Sequence, residues 1–262
     1  MLRRRKKPPK VQRHETPGPQ VTSRRRARPD APVPPQLRVR PDRPEPPSQD
    51  VVLVTGFEPF GDERSNPSWE ICTRLPPSVA GLRVETCRVP CEFRRSIEVL
   101  AEAIERHRPR LVVCLGQAGG RAHLSVERVA INLDDARLPD NAGATPVDEA
   151  IAANGPQAYF ATLPVKAVAA AMRAAGAPAE VSNSAGTYVC NHLMYGVLHF
   201  LAASGNPARA GFIHVPYAED QVLDKPGTPA LSVATMVKGV EAAIAAAGKL
   251  SQDIKVSEGT LD

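Results

Sequence analysis

The chain has 262 residues, 42% of them hydrophobic and only 4% aromatic, with a formal net charge of +5. No apolar run approaches the ~20 residues of a membrane span, and no apolar segment follows the basic clusters near the start to complete an export signal. Five cysteines, Cys72, Cys87, Cys91, Cys114 and Cys190, are odd in number and lack zinc-type spacing, so they fit a reducing compartment, give no metal site and point to no cofactor; a soluble, cytoplasmic protein is expected.

Composition divides the chain sharply. Residues 1–50 hold fourteen Lys/Arg, five Asp/Glu and twelve of the 27 prolines, which leaves 19 basic and 23 acidic residues for 51–262. The alkaline pI therefore belongs to the first segment. So few large apolar residues offer too little burial to offset ordering entropy, and a disordered extension is expected over 1–50. Its runs Arg3-Arg-Arg-Lys-Lys7 and Arg24-Arg-Arg-Ala-Arg28 can bind nucleic acid or acidic lipid nonspecifically; a solvated extension is the simpler reading.

From residue 51 the pattern alternates. Strand signals at 51–56, 82–89, 111–116, 122–133, 179–183 and 209–216 interleave with helical periodicity at 66–75, 92–107, 164–175, 187–203 and 231–247. This predicts one α/β domain over 51–250, a three-layer α/β/α sandwich around a mixed, twisted sheet. Periodicity ends near Lys249, and a flexible tail is expected over 251–262.

Candidate chemistry falls at the ends of these elements. Phe57 and Phe60 stand in a Gly/Pro-punctuated loop after the first strand, where they can line an apolar pocket or pack in the core. Gly116-Gln-Ala-Gly-Gly120 follows an apolar strand but lacks the G-x-G-x-x-G order and leads into another strand, which argues against nucleotide binding. Within 122–133, period two puts Glu127 on a face with Val129, Ile131 and Leu133, while Arg128 points the other way. A carboxylate on such a face needs a partner from elsewhere, either an arginine or backbone amides in a structural role or a histidine in a catalytic one.

Cys190 opens the next helical pattern, where unpaired N–H groups and the helix dipole favour an anion and so a thiolate. It also shares a helix face with Leu193, Met194, Val197, Leu198 and Leu201, the pattern of a buried small hydrophobe. His214 ends the apolar run Gly211-Phe-Ile-His-Val215 just before Pro216, where it can be a core histidine or a base. His192 and His199 lie on the cysteine's own helix and are poorly placed to take its proton.

Four blocks in order resemble the pyroglutamyl-peptidase I (pyrrolidone-carboxylate peptidase) family of cysteine peptidases. They are Thr55-Gly-Phe-Glu-Pro-Phe-Gly61 with Asn66-Pro-Ser-Trp69; Gly116-Gln-Ala-Gly-Gly-Arg121 running on through Glu127-Arg-Val-Ala-Ile-Asn132 to Arg137-Leu-Pro-Asp-Asn141; Ser182-Asn-Ser-Ala-Gly-Thr-Tyr-Val-Cys-Asn191; and Gly211-Phe-Ile-His-Val-Pro216. The resemblance implies the same α/β architecture, a homo-oligomer, and removal of N-terminal pyroglutamate from peptides through a Cys190, His214 and Glu127 triad. It places Arg137 beside the oxyanion and Phe57, Phe60, Asn66, Gln117, Leu138 and Tyr188 around the substrate ring. Where the family often has threonine after Pro90, this chain has Cys91. That departure keeps open a related hydrolase acting on another small amide or cyclised amino terminus. A noncatalytic protein using the basic segment to hold nucleic acid is the other alternative, and three intact chemical residues weigh against it.

Overall fold

The computed structural model describes residues 48–259. The expectation of disorder over 1–50 lies outside the described residues except at its last three positions, which belong to the first strand; residues 260–262 also lie outside them.

In chain order the elements are β1 (Ser48–Phe57), α1 (Pro67–Arg74), β2 (Ser78–Val79), β3 (Leu82–Val89), α2 (Arg95–His107), β4 (Pro109–Gln117), β5 (Leu124–Glu127), β6 (Val129–Ile131), β7 (Ala158–Phe160), α3 (Val165–Ala174), β8 (Ala179–Ser182), α4 (Val189–Ser204), β9 (Arg209–Val215), β10 (Tyr217–Ala218), a 3-10 turn (Glu219–Val222), β11 (Ala230–Leu231) and α5 (Val233–Lys249). Seven strands form one sheet in the order β2-β3-β1-β4-β9-β5-β8. It is mixed as expected: β3, β1, β4 and β9 run parallel, while β5 lies antiparallel to β9 and parallel to β8.

Central strands such as Leu111-Val-Val-Cys-Leu115 are apolar on both faces because both faces are covered. Alternate residues feed two cores. Val52, Val54, Val113, Leu115 and Ile213 pack with Ile71 of α1, Met172 of α3 and Ile244 of α5. Leu53, Val112, Cys114 and Phe212 pack on the opposite side with Leu100 and Ile104 of α2 and with Leu193 and Val197 of α4. These are the three layers expected from sequence, each fully buried Leu, Ile or Phe contributing about 1.5–3 kcal/mol.

One expected element is corrected. The strand read across 122–133 breaks at Arg128 into β5, inside the large sheet, and β6, which leaves it to pair with β7 as a separate two-stranded ribbon. At the break the Arg128 N–H makes the last ladder bond of β5, to the Ser182 carbonyl (2.9 Å), and its guanidinium donates to the Glu258 carbonyl (2.7 Å) before the chain leaves the sheet. Glu127 therefore does not share a continuous sheet face with Val129, Ile131 and Leu133. The second helix also starts late, at Arg95, because Arg94 stands at φ +63°, a conformation an L-residue adopts only under constraint.

The segment after α5, read from sequence as fraying, has no regular structure, yet it is tied down over 250–259. The Asp253 carboxylate accepts from the N–H groups of Lys166 (3.0 Å) and Ala167 (2.9 Å), supplying from a distance the cap that Pro164 does not give α3.

Candidate active site

The parallel strands deliver their C-terminal ends to one edge of the sheet, where α/β enzymes place their chemistry. There β4 ends in Gly116-Gln117 and β9 in His214-Val215, with Gly116 paired to His214 across the ladder. On the other side of β9, β5 pairs Ser125 with His214 and Glu127 with Phe212.

Glu127 is wholly buried, and its Oε1 lies 2.7 Å from His214 Nδ1. That contact fixes the imidazole proton on Nδ1 and leaves Nε2 as the basic nitrogen. The same Oε1 accepts from the Arg121 guanidinium at 2.7 Å, while Oε2 has no hydrogen-bond partner among the described residues. The sequence left the partner open between arginine and histidine; the structure supplies both. Burial alone would raise the Glu127 carboxyl. The His214 hydrogen bond and charge, a smaller Ser182 contribution and Arg121 outweigh it and hold the group below its ordinary 4.5. Ser182 Oγ itself donates to the Ser184 carbonyl (3.2 Å), so His214 and Arg121 are the partners that hold the carboxylate.

This shift has a sign. The unfolded chain binds the Glu127 proton more tightly than the folded one, so the group's stabilisation is complete above 4.5 and drains as pH falls below that value through the folded one. Urea midpoints measured between about pH 6 and pH 3.5 should therefore fall further for the wild type than for Glu127→Gln.

Cys190 is the second residue of α4, whose start at Tyr188 has no side-chain cap and no acidic residue in its first turn. The thiol rests on Gly116: a Cβ built there would lie 2.9 Å from Cys190 Sγ and 2.6 Å from the Phe212 ring. Residues paired across a ladder project to the same face. The face on which Gly116 receives Sγ is thus the one from which His214 projects, and Phe212, two residues before, shares it, its ring tilted with its centre 4.8 Å from that of the imidazole. Gly116→Ala should push the sulfur aside and lower kcat by about 100-fold, the scale of a 1 Å misplacement; steady-state kinetics with a retained melting temperature checks it.

The expectation of an easily formed thiolate is corrected. Burial comes first and, with Cys91 and Glu127 nearby, pushes the Cys190 thiol well above its ordinary value, and only Arg121 pulls it back. These surroundings disfavour the thiolate, so a base that takes the proton as the bond to substrate forms would ease the step.

Aromatic residues enclose the space in front of it. Phe57, Phe60, Cys91, Tyr188 and Cys190 belong to one apolar cluster, with Phe57 6.5 Å from Phe212 and Phe60 6.4 Å from Tyr188, ring centre to ring centre. The Cys91 thiol, pushed up to about 12 chiefly by burial, faces the Tyr188 hydroxyl, which also donates to the Pro139 carbonyl (3.0 Å). Gln117 is buried, its side chain accepting from Gln221 (3.1 Å). Asn66 caps α1 by accepting from the Ser68 N–H and donates to the Glu58 carbonyl, which holds the Phe57–Phe60 loop in place. Leu138 is 65% exposed and Arg137 is exposed beside it, so neither joins the enclosed cluster.

Sequence reasoning missed the supporting polar groups. Buried Asn191, next to the thiol, donates to the carbonyls of Ile131 and Leu133 and accepts from the Ile131 N–H, pinning β6 to the start of α4. His192 faces away from Cys190 as expected, toward Asp134 (2.8 Å), and its Nε2 accepts the Arg94 N–H (2.7 Å), which holds that strained residue. Two consecutive polar residues in an otherwise apolar helix were the available signal.

An α/β sheet bringing a thiol, an imidazole and a carboxylate to one edge defines the class of hydrolase that works by nucleophilic catalysis. Within that class, the pyroglutamyl peptidase family model matches residues 50–250. The pyrrolidone-carboxylate peptidase of Streptomyces coelicolor is 55% identical over 214 residues, spanning 79% of this chain and 97% of that protein. The one from Erwinia tasmaniensis is 50% identical over 209 residues, with the same coverage. Among solved structures, Bacillus amyloliquefaciens pyroglutamyl peptidase I superposes with a TM-score of 0.76 at 44% identity, covering 78% of this chain and 100% of that one. Thermococcus litoralis pyrrolidone carboxyl peptidase gives 0.77 at 38% identity, covering 79% and 99%. This chain belongs to the pyroglutamyl peptidase family.

Proposed function

We propose that the protein hydrolyses the amide bond after an N-terminal pyroglutamyl residue, with Cys190 as nucleophile, His214 as general base and then acid, and Glu127 as the carboxylate that orients the imidazole. Sγ attacks the carbonyl that joins the lactam ring to the next residue while His214 Nε2 takes the thiol proton. The tetrahedral oxyanion is met by backbone N–H groups in the uncapped first turn of α4, with Arg137 assigned to the same side. His214 returns the proton to the leaving amine, leaving a thioester, and a water deprotonated by His214 then releases pyroglutamate.

The observation that carries this reading is the 2.7 Å bond between His214 Nδ1 and buried Glu127, on a strand whose register faces the imidazole toward the thiol over Gly116. Phe57, Phe60 and Tyr188 suit a small, flat, uncharged ring, backbone at Gln117 meets the lactam, Asn66 holds the loop that carries the two phenylalanines, and exposed Leu138 is left at the outer rim. No group of His, Cys, Asp or Glu among the described residues is arranged to hold a metal ion, and every step runs through side chains and water.

No helix among the described residues is long and apolar enough to cross a membrane. The five cysteines are free thiols, which supports work in the cytoplasm, and family membership supports a homo-oligomer. Release of a fluorogenic amine from its pyroglutamyl amide, with the alanyl amide beside it, tests the substrate class; equal turnover of both overturns ring specificity.

A further inference from the structure

Arg121 links the carboxylate of this site to the loop that leads into the Cys190 helix. Its guanidinium donates to Glu127 Oε1 (2.7 Å), the same atom that takes His214, and to the carbonyl of Ser184 (3.4 Å) in the loop that leads into the Cys190 helix. Its backbone is set by a tight turn. Ala118 N–H bonds the Val215 carbonyl, Gly120 takes φ +89°, and a Cβ on Gly119 would strike the Tyr217 ring at 2.3 Å. That turn aims a side chain which keeps 31% of its surface exposed at a carboxylate with none. Neighbouring Arg128 carries the same charge, yet its guanidinium donates to the Glu258 carbonyl instead.

We propose that Arg121 is a positioning residue of the catalytic centre: it holds Glu127 as a carboxylate in the rotamer that meets His214 and supplies the positive charge that lets Cys190 release its proton. The inference rests on the proposed roles of these three residues and adds a fourth member. Physically, a carboxylate buried beside a thiol opposes thiolate formation, since two like charges would share one low-dielectric site. An arginine on the far side of that carboxylate offsets its charge without occupying His214 Nε2. Beside His214, the proposed base, the charged and titratable groups acting on the thiol among the described residues are Cys91, Cys114, Glu127 and Arg121, with Tyr188 alongside. Arg121 alone among them favours the anion.

The test is the rate at which iodoacetamide alkylates Cys190, followed against pH by mass spectrometry of the Cys190 peptide, for wild type, Arg121→Met, Arg121→Lys and Arg128→Met. Arg121→Met should slow alkylation at neutral pH by about tenfold and move its profile to higher pH, while kcat against a pyroglutamyl amide falls by roughly 10–100-fold with KM little changed. Arg121→Lys, which keeps the charge, should stay near the wild-type profile, and Arg128→Met should match wild type in both readouts. An Arg121→Met profile superimposable on wild type overturns the proposal. Should that variant fail to fold, Arg121→Gln, neutral but able to hydrogen-bond, decides: a profile moved to higher pH supports the proposal, and a wild-type profile overturns it. Alkylation needs no pyroglutamyl group, so an error in the substrate reading leaves this test intact.

Discussion

Replacing Cys190 with alanine should reduce turnover of a pyroglutamyl amide by at least ~10⁴-fold while leaving the melting temperature within a few degrees of wild type. The loss is large because the nucleophile and its base act as a unit, so the remaining groups recover little once the sulfur is gone. Stability changes little because the residue is only half-buried and the deletion is one atom. Cys190→Ser should be nearly as inactive, since a hydroxyl is harder to ionise than the thiol it replaces and the site already disfavours an anion. Cys114→Ala supplies the contrast. That thiol is fully buried in β4, so its loss should lower the melting point and leave kcat for the folded fraction near wild type. Steady-state kinetics and thermal denaturation on the three variants separate a chemical role from a packing one.

Glu127→Gln should cost a comparable factor, on the order of 10⁴ in kcat, with little change in KM. The reason is tautomeric. Glu127 Oε1 accepts from both His214 and Arg121. If the glutamine oxygen keeps that position, its NH₂ group lies where Oε2 has no hydrogen-bond partner among the described residues, a buried donor left unsatisfied. If the amide turns over, it faces His214 Nδ1 with a donor and drives the ring proton to Nε2, which disables the base. Glu127→Asp, shorter by one methylene, breaks the 2.7 Å contact without changing charge and should fall between wild type and glutamine. A glutamine variant with wild-type kcat would remove Glu127 from the mechanism.

Most of the architecture was legible because apolar periodicity and burial coincide: the runs of β1, β4 and β9 read as strands covered on both faces, and they are. The strand through Glu127 was over-extended because alternation continues past Arg128, whereas the residues after it pair with β7, a partner distant in the sequence. β7 escaped because Ala158-Tyr-Phe160 is too short to carry a pattern and pairs only with β6. Within the site, the strand end at His214 and the helix start at Cys190 were readable from local sequence. Arg121, Asn191 and the His192–Asp134 pair were not, because their meaning lies in partners that are distant in the sequence or come from other elements of the fold. The direction of the Cys190 shift was misread for a related reason: a helix start is visible in sequence, whereas the desolvation that outweighs it depends on the packed surroundings.

The central claim, that Cys190 carries the acyl group, is tested most directly by acid-quenching the enzyme during turnover of a pyroglutamyl amide and mapping covalent adducts by peptide mass spectrometry. A pyroglutamyl thioester on the peptide containing Cys190, absent from Cys190→Ala, is the predicted result. Turnover without any adduct, or an adduct on Cys91 instead, would contradict it.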